Sequence, residues 1–162
     1  MPTEIENVRA YLRKWNLESR IREFPVSSAT VELVASALNV EPARIAKSLA
    51  LRVPDGVIII VAAGDAKIDN KLFKSKFGVK AKMLPRDETK SATGYQAGSV
   101  CPFALPEGVS VYLDESLRRF ETIYPAAGSA NSAAELSCPE LEQCACHFSG
   151  WADVCKNWRE LI

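Results

Sequence analysis

The sequence predicts an α+β fold, built on a mixed, partly closed, barrel-like β-sheet with short helices around it. Three observations carry this. Short strand-like and helix-like segments alternate along the 162 residues without the regular rhythm of βαβ units. Residues 57–63 form an almost unbroken apolar, β-branched run, the pattern of a central strand covered on both faces. Ahead of it, Pro54-Asp55-Gly56 is turn chemistry, which makes 48–62 a hairpin. At this length a single domain with a substantial core is expected.

Each element has its local reason. Thr3 and Glu6 form a capping-box pair, and Ile5, Val8, Leu12 and Trp15 recur at helical spacing, which predicts a helix over 3–15. Residues 20–26 read as a short strand. Ser27 or Ser28 is the expected cap of a second helix carrying Val31, Val34, Ala35 and Leu38 on one stripe, with Asn39 as its stop. Pro42 opens a short helix, and 45–53 is expected to pass from helix into strand with Lys47 at the junction. Residues 69–77 read as a helix closed by Gly78, and 85–93 as another closed by Gly94. Strands are expected at 82–84, 109–113, 122–125 and 133–136. Asp114 is the expected cap of a helical turn over 115–119, and Pro139 opens a helix to Cys144.

Composition narrows the function classes. The chain is 48% hydrophobic and 25% charged, and 20 basic residues balance 20 acidic ones. Net charge therefore predicts no nucleic-acid binding, and an RNA contact would need a local patch. The one basic stretch lies between 65 and 82, where Lys67, Lys71, Lys74, Lys76, Lys80 and Lys82 outnumber Asp65 and Asp69. It reads either as a solvated helix face or as a phosphate-contacting surface. No apolar run is long enough to span a membrane, and the acidic N-terminus does not resemble a signal peptide, so a cytoplasmic protein is expected. The odd count of five cysteines argues against a disulfide framework. Cys144-Ala145-Cys146 is tighter than the usual spacing of paired zinc ligands, so no metal and no cofactor are expected.

The residues offer no side-chain catalytic set. One histidine, His147, is present, and neither Gly-x-Ser-x-Gly nor His-Glu-x-x-His nor a phosphate-binding glycine loop occurs. Cys101 has no histidine near it in sequence and reads as a packing thiol. The stretch that stands out is Gly98-Ser99-Val100-Cys101-Pro102. Its glycine admits backbone angles closed to other residues, and its proline stiffens the chain. A rigid loop of this kind can aim free amides at an anion or oxyanion.

Lys47 in Ala-Arg-Ile-Ala-Lys-Ser-Leu, the Gly98-to-Pro102 loop, Asp114 in Tyr-Leu-Asp-Glu-Ser-Leu and Gly128 in Tyr-Pro-Ala-Ala-Gly-Ser occur in that order, after Thr30-Val-Glu. Together they resemble the YbaK-like aminoacyl-tRNA deacylases, which include the editing domain inserted in bacterial prolyl-tRNA synthetases. The resemblance runs over about 24–141. It implies a single editing domain with a core at 23–145, a helical extension at 1–22 and a tail at 146–162. It also implies hydrolysis of mischarged aminoacyl-tRNA, acting in trans on tRNA(Pro) carrying a small wrong amino acid. Lys47, Gly98 and Ser99 become candidate catalytic residues, with Lys47 as a point charge on the substrate. As a plain structural residue, Lys47 would instead satisfy helix C-terminal carbonyls. Thr30, Pro102, Asp114, Gly128 and Asn131 become candidates for the substrate pocket, and Asp114 equally fits a capping role. Lys67, Lys71, Lys74 and Lys76 become candidates for RNA contact. The implied partners are the tRNA acceptor end and a prolyl-tRNA synthetase, with no membrane; nothing in the pattern bears on oligomeric state. A non-catalytic module binding a nucleotide or aminoacyl ligand is the alternative.

Overall fold

Strand β3 (Gly56–Ala63) is the spine of the fold, because its last six residues are all buried. The structure, a computed structural model, describes residues 3–24 and 30–158. On one side of β3, β2 (Ile45–Val53) runs antiparallel, in register from Ala46 opposite Ala63 to Val53 opposite Gly56. Pro54 and Asp55 make the two-residue link. On the other side, β5 (Val109–Asp114) runs parallel to β3. The sheet continues from β2 to β6 (Thr122–Pro125) and β8 (Leu136–Ser137), and from β5 to the edge strand β9 (Phe148–Ala152). It is mixed, as expected. A bridge between Ala126 and Ala133 leads from β6 into β7 (Ser132–Ala134), which pairs with β1 (Ile21–Glu23) and curls the sheet into a half-barrel. A separate short pair joins β4 (Lys67–Ile68) to β10 (Cys155–Lys156).

The helices form where the caps put them. Helix α1 (Glu4–Leu12) has the Thr3–Glu6 capping box and runs on into a 3₁₀ turn, Arg13–Trp15. Its Val8 and Leu12 are fully buried, and the Tyr11 hydroxyl donates to the Cys144 carbonyl at 2.7 Å. Helix α2 (Val31–Leu38) is capped by Thr30, whose hydroxyl accepts from the Leu33 amide at 3.2 Å. Ser27 and Ser28, the expected caps, lie outside the described residues. Helices α3 (Asn70–Phe77) and α4 (Arg86–Thr93) each end on a glycine with positive φ, Gly78 and Gly94. Helix α5 (Cys138–Cys144) starts on a Ser137–Glu140 capping box.

Three expectations change. Residues 45–47 are strand throughout, because Ile45 and Ala46 find ladder partners in Tyr124 and Pro125, and pairing overrides their helical preference. Residues 82–84 make only a single bridge, Leu51 to Met83. The stretch 133–136 divides into β7 and β8 around Glu135, whose amide turns back to the Arg20 carbonyl at 3.0 Å. Sequence reasoning assigned no element beyond Cys144. There β9 and β10 add an edge strand to the main sheet and a partner for β4.

After β3 the chain is pressed against the Pro42–Arg44 turn. A Cβ on Gly64 would stand 2.1 Å from the Pro42 carbonyl oxygen and 2.7 Å from Val31 Cγ1. Only glycine permits this approach. Gly64→Ala is therefore expected to lower stability by about 1–3 kcal/mol through overpacking. Urea denaturation measures this, and an unchanged midpoint would mean that the 42–44 turn can move aside.

Candidate functional site

A cleft of about 180 Å³ opens where the start of β2, the end of β6, the first turn of α2 and the Gly98 loop converge. Its walls are mostly small and apolar: Val31, Val34, Val100, Ala126, Ala130 and Ala133. Its polar groups are Thr30, Lys47, Ser48, Tyr124, Ser129 and Ser132. Among the described residues no carboxylate, histidine or cysteine lines it. A cleft so lined can hold a small substrate group and meet its polar atoms with one cation, several hydroxyls and backbone amides.

Lys47 is half-buried on β2. Its ammonium donates to the carbonyl of Gly64 at 3.5 Å and to that of Ala66. Desolvation pushes its pKa below the ordinary lysine range, and Lys67 adds to the effect. The carbonyls that hold Lys47 belong to no helix; they belong to the turn after β3. That turn is fastened from below. The Ala63 amide donates to Ser116 Oγ at 3.1 Å, and the Ser116 amide donates to the Asp114 carboxylate at 2.9 Å. The other Asp114 oxygen accepts the Val154 amide at 3.0 Å. Asp114 is fully buried and lines no part of the cleft. It caps the 3₁₀ turn Glu115–Arg119, as expected, and acts on the site through the backbone that carries the lysine's acceptors.

The Gly98 loop reaches the cleft through Gly98 and Val100. Gly98 has φ +93°, and the Ser99 amide closes the turn onto the Gln96 carbonyl at 2.9 Å. Positive φ at this turn position is what glycine supplies. A Cβ there would meet open space, so strain, not collision, is what a side chain would bring. The Ser99 amide is thus spent on the turn. The amides of Gly98 and Val100 have no acceptor among the described residues. Ser99 stands outside the cleft lining, and Pro102 is buried behind it, its carbonyl accepting the Cys146 amide at 2.7 Å. Cys101 is fully buried; burial pushes its thiol up to about 12, and Sγ donates to the Phe103 carbonyl. A thiol in that state is no nucleophile near neutral pH.

The 126–133 segment makes the opposite wall. Gly128 has φ +99° and faces α1, where a Cβ would stand 2.9 Å from the Glu4 carbonyl oxygen and 3.0 Å from Val8 Cγ2. Its need for glycine is a close approach to α1, not a contact with the cleft. Asn131 also turns away: its side-chain amide donates to the Phe24 carbonyl at 3.2 Å, and its own carbonyl accepts the Phe24 amide. It touches the site indirectly, through Ser129 Oγ, which donates to its side-chain oxygen at 2.8 Å. Of the expected residues, Thr30, Lys47 and Gly98 come together at the cleft; Ser99, Pro102, Asp114, Gly128 and Asn131 stand around it.

Four polar lining residues, Ser48, Tyr124, Ser129 and Ser132, were missed by sequence reasoning. Tyr124 is held by Glu135, accepting its hydroxyl proton at 3.2 Å, and Glu135 in turn by Arg22 at 2.8 Å. Ser48 Oγ is buried and has no hydrogen-bond partner among the described residues. Its only sequence signal is its place next to Lys47. Lys67, Lys71, Lys74 and Lys76 are exposed and line no part of the cleft, but Lys67 directly follows Ala66.

The cleft joins one half-buried lysine to unengaged loop amides, with no nucleophile–base pair among the described residues, a set that an activated acyl ester could use. The comparisons agree. A model of the aminoacyl-tRNA editing domain matches residues 26–144, and the chain belongs to that family. By class it is an aminoacyl-tRNA deacylase. It is 51% identical over 156 residues to the uncharacterized protein YwhH of Bacillus subtilis, covering 95% of this chain and 98% of that one. It is 29% identical over 110 residues to EbsC of Enterococcus faecalis, named "Putative Cys-tRNA(Pro)/Cys-tRNA(Cys) deacylase", covering 67% of each. Against proline–tRNA ligase of a Geobacillus species it is 30% identical over 90 residues, 55% of this chain but 16% of the ligase. A solved "putative trans-editing enzyme for prolyl tRNA synthetase" superposes with a TM-score of 0.86 at 22% identity, covering 96% of this chain and 99% of that one, which establishes the fold. Helix α1 and strands β1, β9 and β10 lie outside the residues that the family model matches.

Asp114→Asn would turn an amide N–H toward a backbone amide. It is expected to cost about 1–3 kcal/mol, read by chemical denaturation. Full stability in that variant would mean that the turn after β3 does not depend on the carboxylate.

Proposed function

We propose that this protein hydrolyses the ester of mischarged tRNA(Pro) carrying a small wrong amino acid, acting in trans in the cytoplasm. The observation that carries the reading is the pairing of a small-walled cleft with a cation and two unengaged amides. The names of EbsC and of the proline–tRNA ligases support tRNA(Pro) as the RNA. In this reading the aminoacyl side chain lies among the alanines and valines of the cleft. Lys47 meets the polar groups at the RNA 3′ end, and Ser48 Oγ bonds a polar atom of the aminoacyl group. The amides of Gly98 and Val100 face the carbonyl oxygen as it becomes an oxyanion, and a water in the cleft attacks the ester. An aminoacyl ester is activated enough for such a site to suffice. Thr30 shapes the rim through its cap of α2. Ser99, Pro102, Asp114, Gly128 and Asn131 are positioning residues. Lys67, Lys71, Lys74 and Lys76 offer charge to the RNA backbone.

The test is release of amino acid from a panel of tRNA(Pro) charged with alanine, cysteine, serine, threonine or proline. Release of one or more small amino acids with proline spared is expected; release of none would overturn the reading. Within that assay Lys47→Ala should keep its circular dichroism and lose about 1.5–3 kcal/mol of transition-state stabilisation. Near-wild-type turnover would remove Lys47 from the mechanism. Gly98→Ala should lose most of its single-turnover rate, since one oxyanion donor is worth about 2.7–4 kcal/mol, while Ser99→Ala should be mild. A dead Ser99→Ala beside an active Gly98→Ala would replace the backbone mechanism with one that uses the serine hydroxyl.

A further inference from the structure

In the short ladder between β4 and β10, Lys67 stands directly opposite Lys156, and Ile68 opposite Cys155. The second pair contributes inward: Cys155 is fully buried. The first pair is exposed on both sides. Like charges directly opposite each other on antiparallel strands repel, and such a pairing costs stability. Neither lysine belongs to an ion pair among the described residues. The nearest acid in the chain on one side, Asp65, is held by Arg119 at 2.9 and 2.5 Å, and on the other, Asp69 is spent on the amides of Lys71 and Leu72. Two like charges set opposite each other, with no ion pair to either among the described residues, mark a place where something other than stability is being served.

Its location says what. Lys67 follows Ala66, whose carbonyl holds the Lys47 ammonium, and it lies within Coulombic reach of that ammonium. Cys155, the neighbour of Lys156, also lies within Coulombic reach of Lys47. The two lysines therefore sit at the back of the turn that presents Lys47 to the cleft. A single anion between their ammonium groups would turn repulsion into attraction on both sides. We infer that Lys67 and Lys156 together form a phosphate clamp, which grips a backbone phosphate of the RNA close to its aminoacylated 3′ end. This deepens the deacylase reading above and rests on it for the identity of the RNA. Lys156 lies beyond the residues that the family model matches, so the clamp combines a lysine of the family region with one supplied by the C-terminal strand.

The experiment uses the full chain with Lys67→Ala, Lys156→Ala, the double variant, and Arg86→Ala, an exposed cation assigned no RNA contact, as a control for general charge. Each clamp variant should melt roughly 1–3 °C higher than wild type, because the opposed charges are gone. Each should also bind an uncharged RNA hairpin with a single-stranded 3′ tail about two- to fivefold more weakly. The slope of log affinity against log salt should fall by roughly 0.7, the share of one single-strand phosphate. The double variant should lose less than the sum of the two singles, since both lysines hold one phosphate. For Lys156→Ala the loss in deacylation should be greater on aminoacyl-tRNA than on a 3′-O-aminoacyl adenosine, which has no phosphate. Unchanged hairpin affinity and salt slope in the clamp variants, or a loss no greater than that of Arg86→Ala, would overturn the clamp. A wild type that binds the hairpin through both lysines and deacylates no tRNA would sink the deacylase reading and leave the clamp standing.

Discussion

A lysine ammonium half out of water has to be given partners, and in this protein the partners are two main-chain carbonyls of the turn that follows the central strand. Much of the architecture around the cleft can be derived from that requirement. The carbonyls must face β2, so the turn must lie close against the Pro42–Arg44 segment, which leaves no room for a side chain at Gly64. The turn must also stay in place. It is tied through Ala63 to Ser116 and through Ser116 to the buried carboxylate of Asp114, which simultaneously takes the amide of Val154. One carboxylate thus joins the end of β3, the turn after β5 and the entry to β10.

The opposite wall obeys a different constraint. There the cleft is made by a chain segment with small side chains, and its position is set by what lies behind it. Gly128 lets the backbone of that segment approach the first turn of α1 to a distance that a Cβ would forbid. Helix α1 is anchored in turn by Val8 and Leu12 in the core and by the Tyr11 hydroxyl on the carbonyl of Cys144. An element outside the matched family region therefore braces a wall of the site. The same division holds at the Gly98 loop, where Pro102 and Cys101 are buried supports and only Gly98 and Val100 face the cleft. In the proposed reading the chemistry falls to the main chain and one cation, and other side chains hold the main chain still. Such preorganisation suits a reaction whose substrate is already reactive.

Local pattern was enough for much of this. The capping box at Thr3 and Glu6, the glycine ends of α3 and α4, the hairpin around Pro54-Asp55, the Asp114 cap and the strand Thr122–Pro125 each depend on neighbouring residues, and each is where local chemistry puts it. The half-barrel sheet follows from the same strands. The ordered set of Lys47, the Gly98 loop, Asp114 and Gly128 likewise pointed to the right family before any geometry was known.

Tertiary structure decided the rest, for two physical reasons. Pairing energy outweighs local preference, so the helix-like residues Ile45 to Lys47 became strand once Tyr124 and Pro125 offered ladder partners, and the C-terminal residues became β9 and β10 beside strands far away in sequence. The other reason is that facing is a three-dimensional property. A sequence can mark Gly128, Asn131 and Asp114 as special, but only the packed chain shows that one faces α1, one faces Phe24 and one is buried beneath the turn that holds Lys47. By itself the sequence determined most of the elements, the fold class and the family. The tertiary structure determined which residues face the cleft and which hold it in place, because a side chain's direction depends on neighbours that the order of the chain does not specify.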